Sequence, residues 1–388
     1  MRRLTSEDIR MLTRFRHDLH QHPELSRKEF RTTHKIREFL SALPGCRIIS
    51  LPVETGVVAQ ISGGQGCGEI MLRADIDALP QTEQVEIPWK STVPGVMHAC
   101  GHDLHTTALC GAALMLARMK QEGKDLPTVD LVFQPAEEGT TGARMLIDAG
   151  LFDRIHPDAC YGMHNWPSVE VGRVVCREGA LMSAKRNFDI IVHGAGGHGS
   201  MPHLNVDPIV CAAAMISSLQ TVVSRHINPL EAGILSINMI EGGSPANLVV
   251  DQVCMKATVR SFSEDVLDRM IERVKEIVDH TAQAYECHSE LIWKERIPAV
   301  LNTPEMTQKA VRFAERSGSI LTDAVPSLAS EDFALYREYV PSFFFWIGSR
   351  AAGADIHELH TPRFFADDSA IPHAAQLYAS CAVGQERG

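Results

Sequence analysis

The apolar positions change period several times along the first 150 residues. From Ser6 to Leu19 and from Lys28 to Leu43 they recur at helical spacing, which predicts two amphipathic helices. The segments VVAQISG (57–63) and EIMLRADI (69–76) are short β-branched or apolar runs, the pattern of strands, and HTTALCGAALMLARMK (105–120) returns to a strong helical period. In VDLVFQPAEEG the apolar run stops at Pro135, so it reads as a buried strand running into a loop. Alternating helices and strands of this kind predict a layered α/β domain.

The pattern changes near Ser183. NFDIIVHG reads as a strand, Asp207 to His226 as a helix, GILSINMIEGG and QVCMKATVRSF as two strands, Glu264 to Ala284 as a helix, and CHSELIWKER as a last strand. That order, β-α-β-β-α-β, is the split unit of a ferredoxin-like α+β domain. After Arg296 the alternation of the first half returns through PSFFFWIG to the end. The sequence therefore predicts one domain built from 1–182 and 296–388, with a smaller domain, 183–295, inserted between its halves.

Composition narrows the classes of function. A chain of 388 residues, 45% hydrophobic and 22% charged, has enough apolar material for two cores. A formal charge of −11 argues against a nucleic-acid surface, which calls for a basic patch or stripe. The N-terminus MRRLTSEDIRMLTRFRHDLHQHPELS has no apolar signal core, and no apolar run reads as a membrane span. Ten cysteines lie scattered without a C-x-x-C pair, which predicts reduced thiols and a cytoplasmic location.

Four segments carry candidate chemistry. In MHACGHDLH, Cys100 and His102 bracket Gly101, whose freedom to turn lets both side chains reach one point. The pair suits a shared metal ion; packing at a helix start and a thiol nucleophile are the other readings. In FQPAEEG, Glu137 and Glu138 follow a buried strand, where α/β enzymes carry their chemistry. If both enter a cleft, one can bind metal while the other takes a proton from activated water. GMHNWP offers His164, and IHELHTP offers His357 and His360, between which the spacing does not choose. Scattered Cys, His and Glu ligands with a spare glutamate suit an open, catalytic metal site better than a closed structural one. Gly194, Gly196 and Gly199 fit G-x-G-x-x-G, yet Pro202 and Pro208 hold the next helix away and Gln220 stands where a ribose-binding acid belongs, so no dinucleotide site is read there.

In order along the chain, RADIDALP, MHACGHDLH, QPAEEG, GMHNWP, GGHGSMPH, SEDF and LHTP closely resemble the aminoacylase and carboxypeptidase family of metal-dependent amidohydrolases, in the branch of hippurate hydrolases and indole-acetyl-amino-acid hydrolases. The resemblance covers nearly the whole chain. It implies a zinc-peptidase-like catalytic domain, with a central mixed sheet flanked by helices, and an inserted dimerisation lid. It also implies that Cys100, His102, Glu138, His164 and His360 hold two divalent metal ions, with Glu137 as general base, and so selects His360 over His357. Asp77 becomes a carboxylate orienting a ligand imidazole, the simpler reading being a helix or turn cap. His198, on the lid, is similar to a histidine that reaches the partner's site in a homodimer and stabilises the oxyanion. Asn247 and Arg260 fall where relatives bind the substrate carboxylate, a task for which a guanidinium fork is apt; a turn-forming Asn and a solvated strand Arg are the plainer readings.

Two positions depart from the family pattern. Phe365 stands where relatives often have an acid, which removes one support for His360, and Ala329 replaces a usual glycine in LASEDF. Ser330 to Phe333 reads equally as a helix start with Ser330 as N-cap. The activity implied is hydrolysis of a small N-acyl amino acid to a carboxylic acid and a free amino acid. A dipeptidase or carboxypeptidase acting on short peptides or aminobenzoyl-glutamate is the alternative. From other classes come a metal-free cysteine hydrolase using Cys100 and a catalytically silent binding protein. Mixed Cys, His and Glu ligands favour Zn²⁺ or Mn²⁺ and also admit Ni²⁺ or Co²⁺.

Overall fold

The strand Thr128–Gln134 is buried from its second residue to its last, as its unbroken apolar run predicts. In the computed structural model, which describes residues 3–139 and 141–383, it lies inside an eight-stranded mixed sheet. The order across the sheet is Cys46–Ile49, Val57–Ile61, Thr128–Gln134, Glu69–Asp75, Ala159–Glu170, Ser342–Arg350, Arg173–Val175 and Ile320–Thr322. The four strands from Thr128–Gln134 to Ser342–Arg350 are mutually parallel, and the strands towards Cys46 pair antiparallel. Register aligns the places where chain leaves the sheet: Asp75 lies opposite Gln134, and Arg73 lies opposite Gly162, two residues before His164. Asp77 and the Glu137–Glu138 pair thus follow the carboxyl ends of neighbouring parallel strands, where α/β proteins place their ligands.

The helix His102–Gln121 is buried on almost every side. It packs with Ser6–Gln21 and Ala370–Val383 over a core that includes Leu12, Leu72, Leu109, Phe133, Tyr161 and Phe345. Segments from both ends of the chain build this core, so neither end can fold it alone.

The second core lies in 183–295 and its immediate flanks. Its antiparallel sheet has the order Gly233–Glu241, Gln252–Ser261, Ala184–His193, His288–Ile297, the arrangement of a split β-α-β unit. The helix Glu264–Ala284 begins after Ser263, whose side chain accepts from Val266 N. The predicted helix 207–226 is divided into Pro208–Leu219 and Thr221–His226. Thr221 Oγ1 donates to Ser218 O (2.6 Å) and Gln220 Nε2 to Ile216 O (3.3 Å), drawing on carbonyls at the break. By length and composition alone Pro208–His226 is apolar enough to cross a membrane, which corrects the reading that no run reaches that length. One side of it, with Cys211, Ala212, Met215, Leu219 and Val222, lies in the core of this unit.

The chain packs as two units, the first taking in the chain up to Gly179, Leu301–Val325 and the segment from Asp332, the second Ala180–Val300 with Pro326–Glu331. The sequence places Pro326–Glu331 in the large domain. Hydrogen bonds put it in the small one: Ser327 N donates to Leu181 O (3.1 Å), Ser183 N to Ala329 O (2.8 Å) and Arg260 Nη1 to Leu328 O (2.9 Å). The helix expected to open at Ser330 begins instead as a 3₁₀ segment, Asp332–Glu338.

One buried acid in the large sheet makes stability depend on pH. Asp130 is fully buried, and burial together with the neighbouring Glu69 carboxyl pushes its pKa up to about 8, against a hydrogen bond from Gln60 Nε2 (2.9 Å). A carboxyl with a raised native pKa stabilises the fold fully below its unfolded pKa and loses that contribution as pH rises to the native value. Asp130→Asn should therefore raise the melting temperature by a few degrees at pH 8 and little near pH 4, with the gain growing between. Thermal melts of both proteins across that range would show it; a difference independent of pH would contradict it.

Candidate metal centre

The geometry of the centre starts from Gly101. It has φ +91°, and a Cβ there would lie 2.5 Å from Asn165 Nδ2, so both the turn and the close approach require glycine. The helix begins at once with His102, and Cys100 lies on the other side of the turn. Asn165 Nδ2 donates to Cys100 O (2.5 Å), tying this turn to the strand that bears His164.

Six side chains then follow one another at short distances. His164 Nε2 is 3.2 Å from Cys100 Sγ, which is 3.3 Å from His360 Nε2. His360 Nε2 is 3.3 Å from Glu138 Oε1, which is 3.9 Å from His102 Nε2. Glu137 Oε2 lies 4.0 Å from the same His102 nitrogen. Ligand atoms about 2.0–2.3 Å from a common ion stand roughly 3–4 Å apart, so this spacing suits a metal centre. Cys100 belongs to two such groups, one with His102 and His164 and one with Glu138 and His360. His102 Nε2 and Glu138 Oε1 are buried without a hydrogen-bond partner, a cost that a cation between them would remove. His360 is half-exposed and leaves the cluster open on its side.

The supporting bonds set which nitrogen of each histidine faces the cluster. His102 Nδ1 lies 3.3 Å from Asp77 Oδ1 and His164 Nδ1 2.6 Å from Asn165 O, so each turns Nε2 inward. Asp77 does more than orient an imidazole. Its two oxygens also accept from Glu137 N and Glu138 N (3.1 Å each), and Ser26 Oγ donates to Oδ2 at 2.6 Å. His360 has φ +59°, and its N–H donates to Ala99 O (2.9 Å), which fixes it to the Cys100 segment despite Phe365. His357 is exposed and lines, with Phe365, Val85 and Ile87, a surface cavity of about 400 Å³.

Charge in the centre is unbalanced towards the negative. Burial alone would push the His102 pKa down, yet Asp75, Asp77 and Glu138 outweigh it and carry it up to about 10. Burial, with Glu138, Glu137 and Asp75, drives the Cys100 thiol well above its ordinary value. A buried, protonated thiol is a poor nucleophile, which speaks against the cysteine-hydrolase reading. An excess of carboxylates that holds protons on a histidine and a thiol also draws cations.

Sequence reasoning passed over Asp75, His105 and Asn165. His105 Nδ1 meets Asp75 Oδ1 at 2.5 Å, and its Nε2 accepts from Asn165 N at 2.8 Å. Both ring nitrogens are therefore occupied, and His105 is a buttress rather than a ligand. Asp75 Oδ2 in turn accepts from Arg73 Nη1 (2.8 Å) and lies 3.8 Å from His102 Nε2. The spacing of His105, one turn beyond His102, was the available signal. His198, Asn247 and Arg260 lie in the second unit. His198 and Asn247 are exposed, on the loops joined by pairing of Gly197–His198 with Leu248–Val249. Ser200 N donates to His198 Nδ1 (3.2 Å), which leaves Nε2 as the protonated nitrogen. Arg260 is half-buried, and burial lowers its pKa.

A cluster of cysteine, histidine and carboxylate side chains beyond the carboxyl ends of parallel strands, backed by oriented imidazoles and open on one side, defines a hydrolase of the metallopeptidase type. Residues 71–383 match Peptidase family M20/M25/M40, and the chain belongs to that family, as an amidohydrolase. It is 40% identical over 373 residues to an N-acetylcysteine deacetylase of Bacillus subtilis (strain 168), covering 96% of each chain. An N-acetyldiaminopimelate deacetylase of Leuconostoc mesenteroides subsp. mesenteroides is 36% identical, over 95% of this chain and 94% of the relative. The crystal structure of Bacillus subtilis YXEP protein, described as a dinuclear metal binding peptidase from the M20 family, superposes with a TM-score of 0.82 at 36% identity, over 97% of this chain and 98% of that one.

Proposed function

We propose that the protein hydrolyses the amide bond of small N-acyl amino acids, N-acetyl amino acids first among them, releasing a carboxylic acid and a free amino acid. The observation that carries this reading is the glutamate pair. Both backbone N–H groups are gathered by Asp77, while both side chains reach the histidine and cysteine cluster. Two similar relatives are named for removing acetyl groups from amino acids. Cys100, His102, Glu138, His164 and His360 would hold two divalent ions, Zn²⁺ or Mn²⁺ before Ni²⁺ or Co²⁺. When bound, such ions polarise the amide carbonyl and make water more acidic. Glu137 takes the proton from the attacking water and returns it to the departing amine. His198 donates from Nε2 to the oxygen of the tetrahedral intermediate, a role in which single donors are worth about 3 kcal/mol. Arg260 and Asn247 grip the carboxylate of the amino acid. A homodimer formed through the inserted unit belongs to the same reading.

The test is a panel of N-acetyl, N-benzoyl and N-aminobenzoyl amino acids set beside dipeptides, with metal analysis of the same preparation. Metal-loaded protein should turn over N-acetyl amino acids fastest. Cleavage of dipeptides alone, or no turnover by protein carrying two ions per chain, would overturn the reading.

A further inference from the structure

Glu137 and Glu138 are adjacent, and adjacent side chains on extended chain point to opposite sides. Both reach one cluster because they stand in a turn, 137–139, rather than on extended chain, and Ala136 leads into that turn. Ala136 has φ +52°, a left-handed conformation that a residue with a Cβ disfavours and keeps only where its surroundings impose it. Its carbonyl accepts from Thr141 N (3.3 Å) and from Gly142 N (3.1 Å), where the helix Gly142–Asp148 opens. Its buried N–H has a distant partner, Glu29 Oε1 at 2.8 Å, 107 residues earlier in the chain.

Glu29 is an unusual residue in its own setting. It is fully buried at the N-cap position of the helix Phe30–Ser41, yet its side chain makes no capping bond to that helix. Glutamate is not a preferred N-cap residue, and a buried carboxylate is costly, more so with Oε2 lacking a hydrogen-bond partner. The local helix does not explain it; the carboxyl bonds instead to the Thr55 side chain and to Ala136 N, and the second bond ties it to the glutamate loop.

We propose that Glu29 is a positioning residue for the hydrolysis: its carboxylate holds the left-handed Ala136 peptide from which the base Glu137 and the ligand Glu138 enter the centre. The proposal rests on the roles given to that pair above. Charge is not what the task needs. It needs an acceptor at a fixed place, and the longer side chain provides the reach.

Four substitutions and two measurements test this. At saturating metal, Glu29→Gln, which keeps the acceptor and the reach, should retain kcat within about threefold. Glu29→Ala should lose about 10²-fold in kcat with KM changed by less than about threefold, the loss that a misplacement on the order of 1 Å brings. Adding Ala136→Gly to Glu29→Ala should recover at least about tenfold, because glycine holds the left-handed conformation without strain. Should Glu29→Ala not fold, Glu29→Asp replaces it; with the charge but one methylene less reach, it should fall well below Glu29→Gln. In metal-free protein, amide exchange at Ala136 to Glu138 should quicken in the Ala or Asp variant and stay slow in the Gln variant. Glu29→Asp as active as Glu29→Gln, Glu29→Ala with wild-type kcat, no recovery on adding Ala136→Gly, or unchanged exchange would each overturn the proposal. Exchange needs neither substrate nor metal. A wild-type protein inactive on the substrate panel would thus remove the functional reading and leave the exchange result standing.

Discussion

Glu137→Gln will keep its metal and lose about 10²-fold or more in turnover, whereas Glu138→Gln will lose metal. The two residues are neighbours in sequence with nearly equal burial, so a structural role would predict similar losses. Their surroundings differ. Glu138 Oε1 lies between His360 Nε2 at 3.3 Å and His102 Nε2 at 3.9 Å, where a ligand oxygen would stand, while Glu137 Oε2 lies 4.0 Å from His102 Nε2. A carboxylate committed to a cation is a poor base, so the one at the margin takes the proton. Metal analysis beside kcat decides it. Two fully loaded variants, or a Glu137→Gln protein with normal turnover, would defeat the assignment.

Metal uptake at pH 8 will release about two protons per chain. In the metal-free chain Asp75, Asp77 and Glu138 carry the His102 pKa, against burial, up to about 10, and burial with Glu138, Glu137 and Asp75 holds Cys100 as a thiol. Burial works the other way on His164, whose pKa lies well below the ordinary value, so it offers a lone pair without losing a proton. Ligands bind metal deprotonated, so His102 and Cys100 each give up one proton. The sign follows from the raised values: affinity falls as pH drops below them, by about 100-fold per pH unit for two protons. Titrating Zn²⁺ into weakly buffered metal-free protein with an indicator dye counts the protons, and Cys100→Ser should remove one. Release near zero would mean that neither group is a ligand.

Much of the chain was legible without its structure. The helix expected from Glu264 to Ala284 runs over that range in the structure, and the Ser263 side chain caps its start. The strand Thr128–Gln134 ends where Pro135 removes a donor. The residues of MHACGHDLH and QPAEEG that the structure brings together announce themselves because several chemical groups crowd into a few positions. Local signals also misled: the period of Asp207 to His226 predicts one helix, and side chains drawing on its own carbonyls divide it. Pro326–Glu331 was assigned by sequence neighbourhood, and its hydrogen bonds place it in the other unit.

By itself the sequence determined the repertoire: alternating periods for an α/β sheet, a second core within the first, and a set of cysteine, histidine and glutamate side chains fit for metal. Only the tertiary structure decided which of them meet. His357 and His360 are indistinguishable by spacing, and the fold sets His360 Nε2 3.3 Å from Cys100 Sγ, 260 residues away. Arg73, Asp75, His105 and Asn165 form a buttress that no local motif displays, and Glu29 reaches across 107 residues to Ala136. The physical reason is range. Period, capping and turn chemistry act over a few residues and are written in consecutive letters, whereas a buried polar group must find its partner wherever the packing of distant segments leaves one.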